Sequence, residues 1–461
     1  MWKSTSCMKV NAFTALEVHC SIGDIRMLLG QRDIAEQQYR TAIQKAQSWG
    51  IPDLSARARR GLGWLLRIMG KVDEAQEEML KAVSLYQKLG NKEDEAVAVC
   101  NLGSIFEVRN DYAKAGEYYS RGLEMARKHG NLRTMYSARS NLGNLYRNRG
   151  DYDTALRHFK GALSLARRIK DRRIAGIVYN NMGILYREKG EFQKAIRCYQ
   201  KRLEAAKEIG DKMGHCIVLC NLGVANLDIK KYGIAKAQLE EFYRLAMELK
   251  DKQAITYAIG NLGLVYYELG DYKKALDYFT RDLNLNRERG DQRDEAIALG
   301  NLGKLHVRTG DLDQAEKCLD LAIELGRKME APHYLCADLN YKADICLRTD
   351  RPEQAIVLNE EALRIAAKIS RPEIIFEATL LKIKLQHSTE PGRSIRLFEQ
   401  MLKDVKSDDE KAEILYTMSL LFSDPKRGTE AAKLYNKLYR STKRHIYRIR
   451  ADELSHVLKD R

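Results

Sequence analysis

The sequence predicts an all-α fold, a solenoid of stacked antiparallel helix hairpins. Three observations predict it. Asn-Leu-Gly occurs at 101–103, 141–143, 221–223, 261–263 and 301–303, with Asn181-Met182-Gly183 in the vacant slot, so the spacing is 40 residues without drift. Only 6 prolines occur in 461 residues, which leaves long stretches free of helix breakers. Apolar residues in each 40-residue period recur at helical spacing on one face. At 461 residues the chain is too long for a single compact core, and a repeat period of this length signals a quasi-one-dimensional array.

The frame extends backwards through Leu62-Gly63 and Ile22-Gly23 and forwards through Lys342-Ala343. Nine units therefore share one register, centred on residues 23 to 343. Each unit reads as two helices. In the fourth, Leu142, Gly143 and Tyr146 mark the first helix. Gly150-Asp151 then ends it and caps the next. Ala155, Phe159 and Leu163 form the stripe of the second helix. That stripe recurs as Ala115, Tyr119, Leu123, as Ala195, Tyr199, Leu203, and as Ala275, Phe279, Leu283. Small residues such as Gly143 and Ala155 belong where two helices cross closely, and aromatic residues fill the wider gaps. One such hairpin cannot bury its own apolar face, whereas stacked hairpins bury each other's.

The residues Leu142, Gly143, Tyr146, Gly150, Tyr152, Ala155, Phe159, Ala162 and Leu163 stand at the spacings of the tetratricopeptide repeat, which this chain resembles. The resemblance covers roughly residues 11–370 and implies a right-handed superhelix. The family's usual unit is shorter and ends in a proline; here the unit is 40 residues without that proline, which implies longer helices. Units of this length are similar to those of spindle-orientation adaptors and of bacterial and archaeal signalling proteins. The resemblance implies fold strongly and function weakly, because such repeats serve many unrelated partners.

The expected organisation is nine repeats over 1–370, two degenerate helical repeats over 371–440 and a basic capping helix over 441–461. Residues 371–408 and 409–440 keep the stripes Ser394, Phe398, Leu402 and Ala431, Tyr435, Leu438. They lose the first-helix glycine, and Pro372, Pro391 and Pro425 punctuate their turns.

Composition narrows the function classes. Hydrophobic residues at 44% and charged residues at 31% exclude a disordered chain, and no uncharged run is long enough to span a bilayer. Met1 to Cys7 lack a basic start followed by an apolar stretch, so no signal peptide is expected. The nine cysteines are scattered with no CxxC pair, which suits a reducing compartment and predicts a cytoplasmic protein. The formal charge of +16 favours anionic partners.

No catalytic constellation emerges, and neither enzyme activity, a cofactor nor a metal is expected. Gly61-x-Gly63 lacks a third glycine and a preceding strand, so it reads as repeat packing. Cys216 and Cys220, with His215 adjacent, would need two more ligands from elsewhere to hold a metal. Both cysteines read as small interior side chains. Asp151-x-Asp153 and Asp311-x-Asp313 resemble the start of a calcium loop without its glycine and glutamate, and read as helix caps.

Function is expected where the repeat is free to vary. In the family the chain resembles, first helices line the inside of the superhelix and bind peptides. The matching candidates are Asn101, Asn141, Asn181, Asn221, Asn261 and Asn301, with Asn144, Arg147, Arg187 and Lys304 on the same face. Asparagine amides can hydrogen-bond a peptide backbone, and arginine can clamp a carboxylate. The competing reading is that the asparagines tie adjacent repeats together and that the arginines are solvated.

Two basic clusters stand apart. Arg167, Arg168, Lys170, Arg172 and Arg173 straddle one turn. Residues 426–461 hold 11 Lys/Arg against four acids, a net +7. Tyr435, Tyr439 and Tyr447 are interleaved there and could stack on bases. The leading expectation is a non-enzymatic scaffold that binds an acidic segment of a partner protein. The alternatives are a sensory part of a larger signalling system, with a kinase or cyclase partner, and a nucleic-acid-associated regulator. No membrane partner is expected.

Overall fold

The computed structural model describes residues 2–457, and among them there are only helices, joined by turns. The chain divides into two compact units, 1–211 and 212–461.

Unit 1 holds five hairpins: α1 (Trp2–Leu28) with α2 (Arg32–Ser48), α3 (Pro52–Ile68) with α4 (Val72–Leu89), and α5 (Lys92–Val108) with α6 (Tyr112–Lys128). The last two are α7 (Leu132–Asn148) with α8 (Tyr152–Ile169) and α9 (Arg172–Glu188) with α10 (Phe192–Glu208). Unit 2 continues with α11 (Lys212–Asp228) and α12 (Tyr232–Leu249), α13 (Lys252–Leu269) and α14 (Tyr272–Arg289), and α15 (Gln292–Thr309) and α16 (Leu312–Lys328). Then follow α17 (Pro332–Arg348) and α18 (Pro352–Lys368), α19 (Pro372–His387) and α20 (Pro391–Asp404), α21 (Asp408–Leu421) and α22 (Pro425–Thr442), and a last helix, α23 (His445–Val457).

The helices of the regular repeats, α2 to α18, run 17 or 18 residues, close to 26 Å each at about 1.5 Å rise per residue. Their ends follow from the sequence. Gly150 takes φ +79°, a left-handed conformation that releases the chain from α7. The Asp151 carboxylate then accepts the backbone N–H of Thr154 at 3.1 Å. Asp311 does the same for Gln314 at 3.2 Å, so the leading aspartate of each calcium-like pattern is an N-cap.

The close crossings are also where the repeat requires them. A Cβ on Gly103 would lie 2.6 Å from the Tyr119 ring, and one on Gly263 the same distance from that of Phe279. These rings are themselves fully buried, so they have nowhere to retreat. Such repeats key a buried ring into a slot that only glycine leaves open; at Gly63, Gly223 and Gly303 the side chains of Met79, Leu239 and Leu319 take the ring's place.

The later helices use a different grammar. Proline occupies the first turn of α17, α18, α19, α20 and α22, where its missing N–H costs nothing. Ser394, Phe398, Ala431 and Tyr435 are buried. On α23, Tyr447, Ala451 and Leu454 are buried against Ala412, Leu415 and Tyr435, so this helix is fastened to the α21–α22 hairpin by an apolar core.

Candidate functional site

In unit 1 the first-helix face carries Asn101 on α5, Asn141, Asn144 and Arg147 on α7, and Asn181 and Arg187 on α9. All six are half-buried. The side-chain amides of Asn101, Asn141, Asn144 and Asn181 make no hydrogen bond within the described residues. Amides satisfied by neighbouring repeats would have identified a packing ladder; these are left to water or to a ligand. Asn101 also lines a cavity of about 300 Å³ together with Arg57, Arg60 and Trp64. Arg60 is held there by Asp94 at 2.5 Å.

Arg147 is less free than its place outside the packing stripe suggests. Its side chain is 18% exposed and lies 3.6 Å from the Glu188 carboxylate. Burial raises the Glu188 carboxyl above the ordinary glutamate range, against the pull of Arg147 and Arg187. Arg147 Nη2 donates to Asn148 at 3.0 Å, while its buried Nε–H has no hydrogen-bond acceptor. Arg187 has an interaction of its own.

In unit 2 the equivalent face diverges. Asn221, Asn261 and Asn301 are again half-buried, but the Asn261 amide turns back to its own helix and donates to the Tyr257 carbonyl at 2.7 Å. Asn221 is engaged in a further interaction. Lys304 projects into a cavity of about 790 Å³ that α13, α15, α17, α19, α21 and α23 border. Its ammonium sits 4.8 Å from the centre of the Tyr267 ring and 6.0 Å from that of Tyr341. Burial disfavours its charge, but Tyr341, Tyr267 and Glu268 outweigh that and raise its pKa above the ordinary lysine value.

The basic tail forms part of this cavity. Arg444 donates to Glu268 of α13 from Nε at 2.5 Å and from Nη2 at 3.4 Å. Lys230 pairs with Asp409 and donates to the Tyr447 hydroxyl at 3.3 Å. The His445 ring meets the Tyr272 ring edge-on at 5.9 Å, and it lies where Gly270 would carry a Cβ. Arg450 pairs with Glu413. Burial would push the Glu268 carboxyl up, yet Arg444 and Lys304 hold it below the ordinary range, so this pair stays ionised. The sequence spans 176 residues between Glu268 and Arg444, and no repeat rule relates them. One signal was present: Lys230 stands in the slot that is glycine at 150, 190, 270 and 310, and it adopts φ +58° there.

Elsewhere the chemistry is quiet. The Arg167–Arg173 cluster spends Arg172 on Glu208 and Arg167 on the Tyr179 hydroxyl at 3.2 Å. Among the described residues no three His, Cys, Asp or Glu side chains gather as a metal-ligand set, and Cys20, Cys100, Cys198, Cys216, Cys220, Cys318, Cys336 and Cys346 are free thiols. Cys216 is buried and burial pushes its thiol up to about 11, which makes it inert packing. No helix among the described residues is long and apolar enough to cross a membrane.

Comparison with known proteins agrees with this architecture. The family model described as tetratricopeptide repeat matches residues 65–128, 134–208, 180–248, 252–328 and 294–368, more than half of the chain. The chain belongs to the tetratricopeptide repeat family. Comparison with curated proteins finds no match. Among solved structures, RapI in its apo form is 13% identical, with a TM-score of 0.58 over 77% of this chain and 99% of that one. A Rap protein complexed with competence and sporulation factor is 14% identical, with a TM-score of 0.53 over the same shares. A signal-transduction ATPase with a tetratricopeptide repeat sensor, from Pyrococcus horikoshii, is 18% identical with a TM-score of 0.53. That match covers 75% of this chain and 55% of the other. At these identities the likeness is one of fold. Tetratricopeptide repeats are interaction scaffolds as a family, and this chain carries that role in its repeats.

Proposed function

We propose that the chain is a non-enzymatic, cytoplasmic scaffold whose first-helix face in unit 1 binds an extended acidic segment of a partner protein. The observation that carries this reading is the row of half-buried amides of Asn101, Asn141, Asn144 and Asn181, which make no hydrogen bond among the described residues, beside a buried Arg147 Nε–H with no hydrogen-bond acceptor there. Amides supply both donor and acceptor to a peptide backbone, and the guanidinium supplies charge for a carboxylate. A Rap protein of similar fold is known in complex with competence and sporulation factor, which is compatible with a binding role for such a repeat array.

Five of the eleven cations of the tail are engaged within the chain. Arg444, Arg450, Lys437, Arg427 and Arg448 are spent on Glu268, Glu413, Asp408, Glu399 and Asp452.

The test is fluorescence anisotropy of the full chain with matched acidic and basic ten-residue peptides. Acidic peptides should bind, and the Arg147→Glu/Arg187→Glu double variant should lose them while keeping its helical signal. Equal binding by the folded double variant, or a preference for basic peptides, would overturn the reading.

A further inference from the structure

The row of asparagines on the first helices of unit 1 is broken at one rung. The slot that holds Asn101, Asn141 and Asn181 on α5, α7 and α9 is Gly61 on α3. Packing requires the exchange. A Cβ on Gly61 would lie 2.6 Å from the Tyr39 ring. That ring is fully buried, and its hydroxyl donates to Asp24 at 2.5 Å, so it cannot yield. Beside the missing side chain lies the cavity of about 300 Å³ between α1, α3 and α5. Trp64 forms one wall, in a slot that later repeats fill with Ser104, Asn144, Ile184, Val224, Leu264 and Lys304. Met27 and Val97 add apolar surface, and both are half-buried, as is Trp64. The Arg67 guanidinium lies 4.1 Å from the centre of the Trp64 ring and steadies it. The cations at the rim are already matched by acids. Arg60 is held by Asp94, and Arg57 lies 3.6 Å from Glu17 and 3.8 Å from Asp24.

We propose that this hollow is an anchor pocket for one large apolar side chain, carried by the same partner segment whose acidic part lies along α7 and α9. The inference rests on the acidic-segment reading and adds its specificity determinant. Asn101 joins the two sites. It lines the hollow, and its amide, which makes no hydrogen bond among the described residues, continues the row on α7 and α9. A peptide backbone held by that amide passes the mouth of the hollow. The volume stands at the floor of the range for small-molecule sites, the scale of a single side chain. With its rim charges paired, the hollow calls for no counter-charge, and burial of apolar surface against Trp64, Met27 and Val97 supplies the gain. Because α3 precedes α5, α7 and α9, the anchor residue belongs at one end of the acidic stretch.

The experiment is fluorescence anisotropy of the full chain with three acidic ten-residue peptides, one with leucine first, one with leucine last and one with serine at both ends. At least one leucine peptide should bind about fivefold tighter, or more, than the serine peptide. Trp64→Ala and Val97→Ser should each bring that peptide down to the serine level. Should Trp64→Ala fail to fold, Val97→Ser on α5 carries the test. Equal affinity of the parent for all three peptides, or a leucine advantage that survives in the folded variants, would overturn the anchor pocket and leave the acidic reading standing. Binding of none of the three would overturn both.

Discussion

The two units use one repeat to opposite ends. Unit 1 leaves the amides of Asn101, Asn141, Asn144 and Asn181 without a hydrogen bond among the described residues, whereas unit 2 folds its own tail onto the corresponding face and ties it down with Arg444, Lys230 and His445. Helix length, the glycine–aromatic key and the aspartate caps are the same in both. The difference lies in positions that packing does not dictate. Those positions decide whether a rung faces a ligand or the rest of the chain.

The largest effect that would sharpen this contrast is expected at Glu268. Glu268→Ala strands the Arg444 guanidinium in a partly buried site, at a cost on the order of 3 kcal/mol. Hydrogen exchange should then rise in α11, α13 and α23 and stay unchanged in α5 to α9. Exchange that rises equally in both units would erase the distinction drawn here.

The next effect is pH dependence confined to unit 2. Burial pushes the carboxyls of Asp282 and Asp338 up to about 7. A carboxyl whose pKa is raised on folding binds its proton more tightly in the native state. Stability is therefore highest below about pH 4 for these two groups and falls as pH rises towards 7, by a few kcal/mol, roughly, for each. Melts of Asp282→Asn and Asp338→Asn should show higher Tm than the parent at pH 7.5, a smaller difference at pH 5 and the least below pH 4. Identical pH profiles for parent and variants would show that neither carboxyl titrates in this window.

A smaller effect is expected from Gly183→Leu in unit 1. The new side chain runs into the buried Tyr199 ring, and such overpacking costs roughly 1–3 kcal/mol. The melting temperature reads it directly, and a parental melt would misplace the glycine slot. The smallest effect is at Arg147→Ala. The pair with Glu188 is long at 3.6 Å and half open on the acid side, so it should shift stability by less than about 1 kcal/mol. A larger loss in a urea titration would make Arg147 structural and remove it from the peptide face.

Much of this was legible before any coordinates. The 40-residue register gives the glycine–aromatic crossings at Gly103–Tyr119 and Gly263–Phe279, because steric rules repeat with the period. Asp151 and Asp311 are readable as caps because capping is local, settled within three residues. The clasp of α23 is not local. Arg444 looks like any residue of a basic tail until Glu268 is found opposite it, and Lys304 looks like its groove neighbours until the tail closes over it. Arg147 was placed on the right helix, but its contact with Glu188 depends on the angle between α7 and α9, which spacing alone does not supply.

The clasp also acts as a counting device. A repeat array ordinarily tolerates gain or loss of a unit, because each hairpin touches only its neighbours. Between α13 and α23 that freedom is gone. Removing the forty residues 292–331 would carry Arg444 and His445 a full rung away from Glu268 and Tyr272, and inserting a unit would displace them the other way. Duplication and deletion can therefore lengthen or shorten the array ahead of α11 with little penalty. The segment from α13 to α23 is instead fixed at one integer number of hairpins.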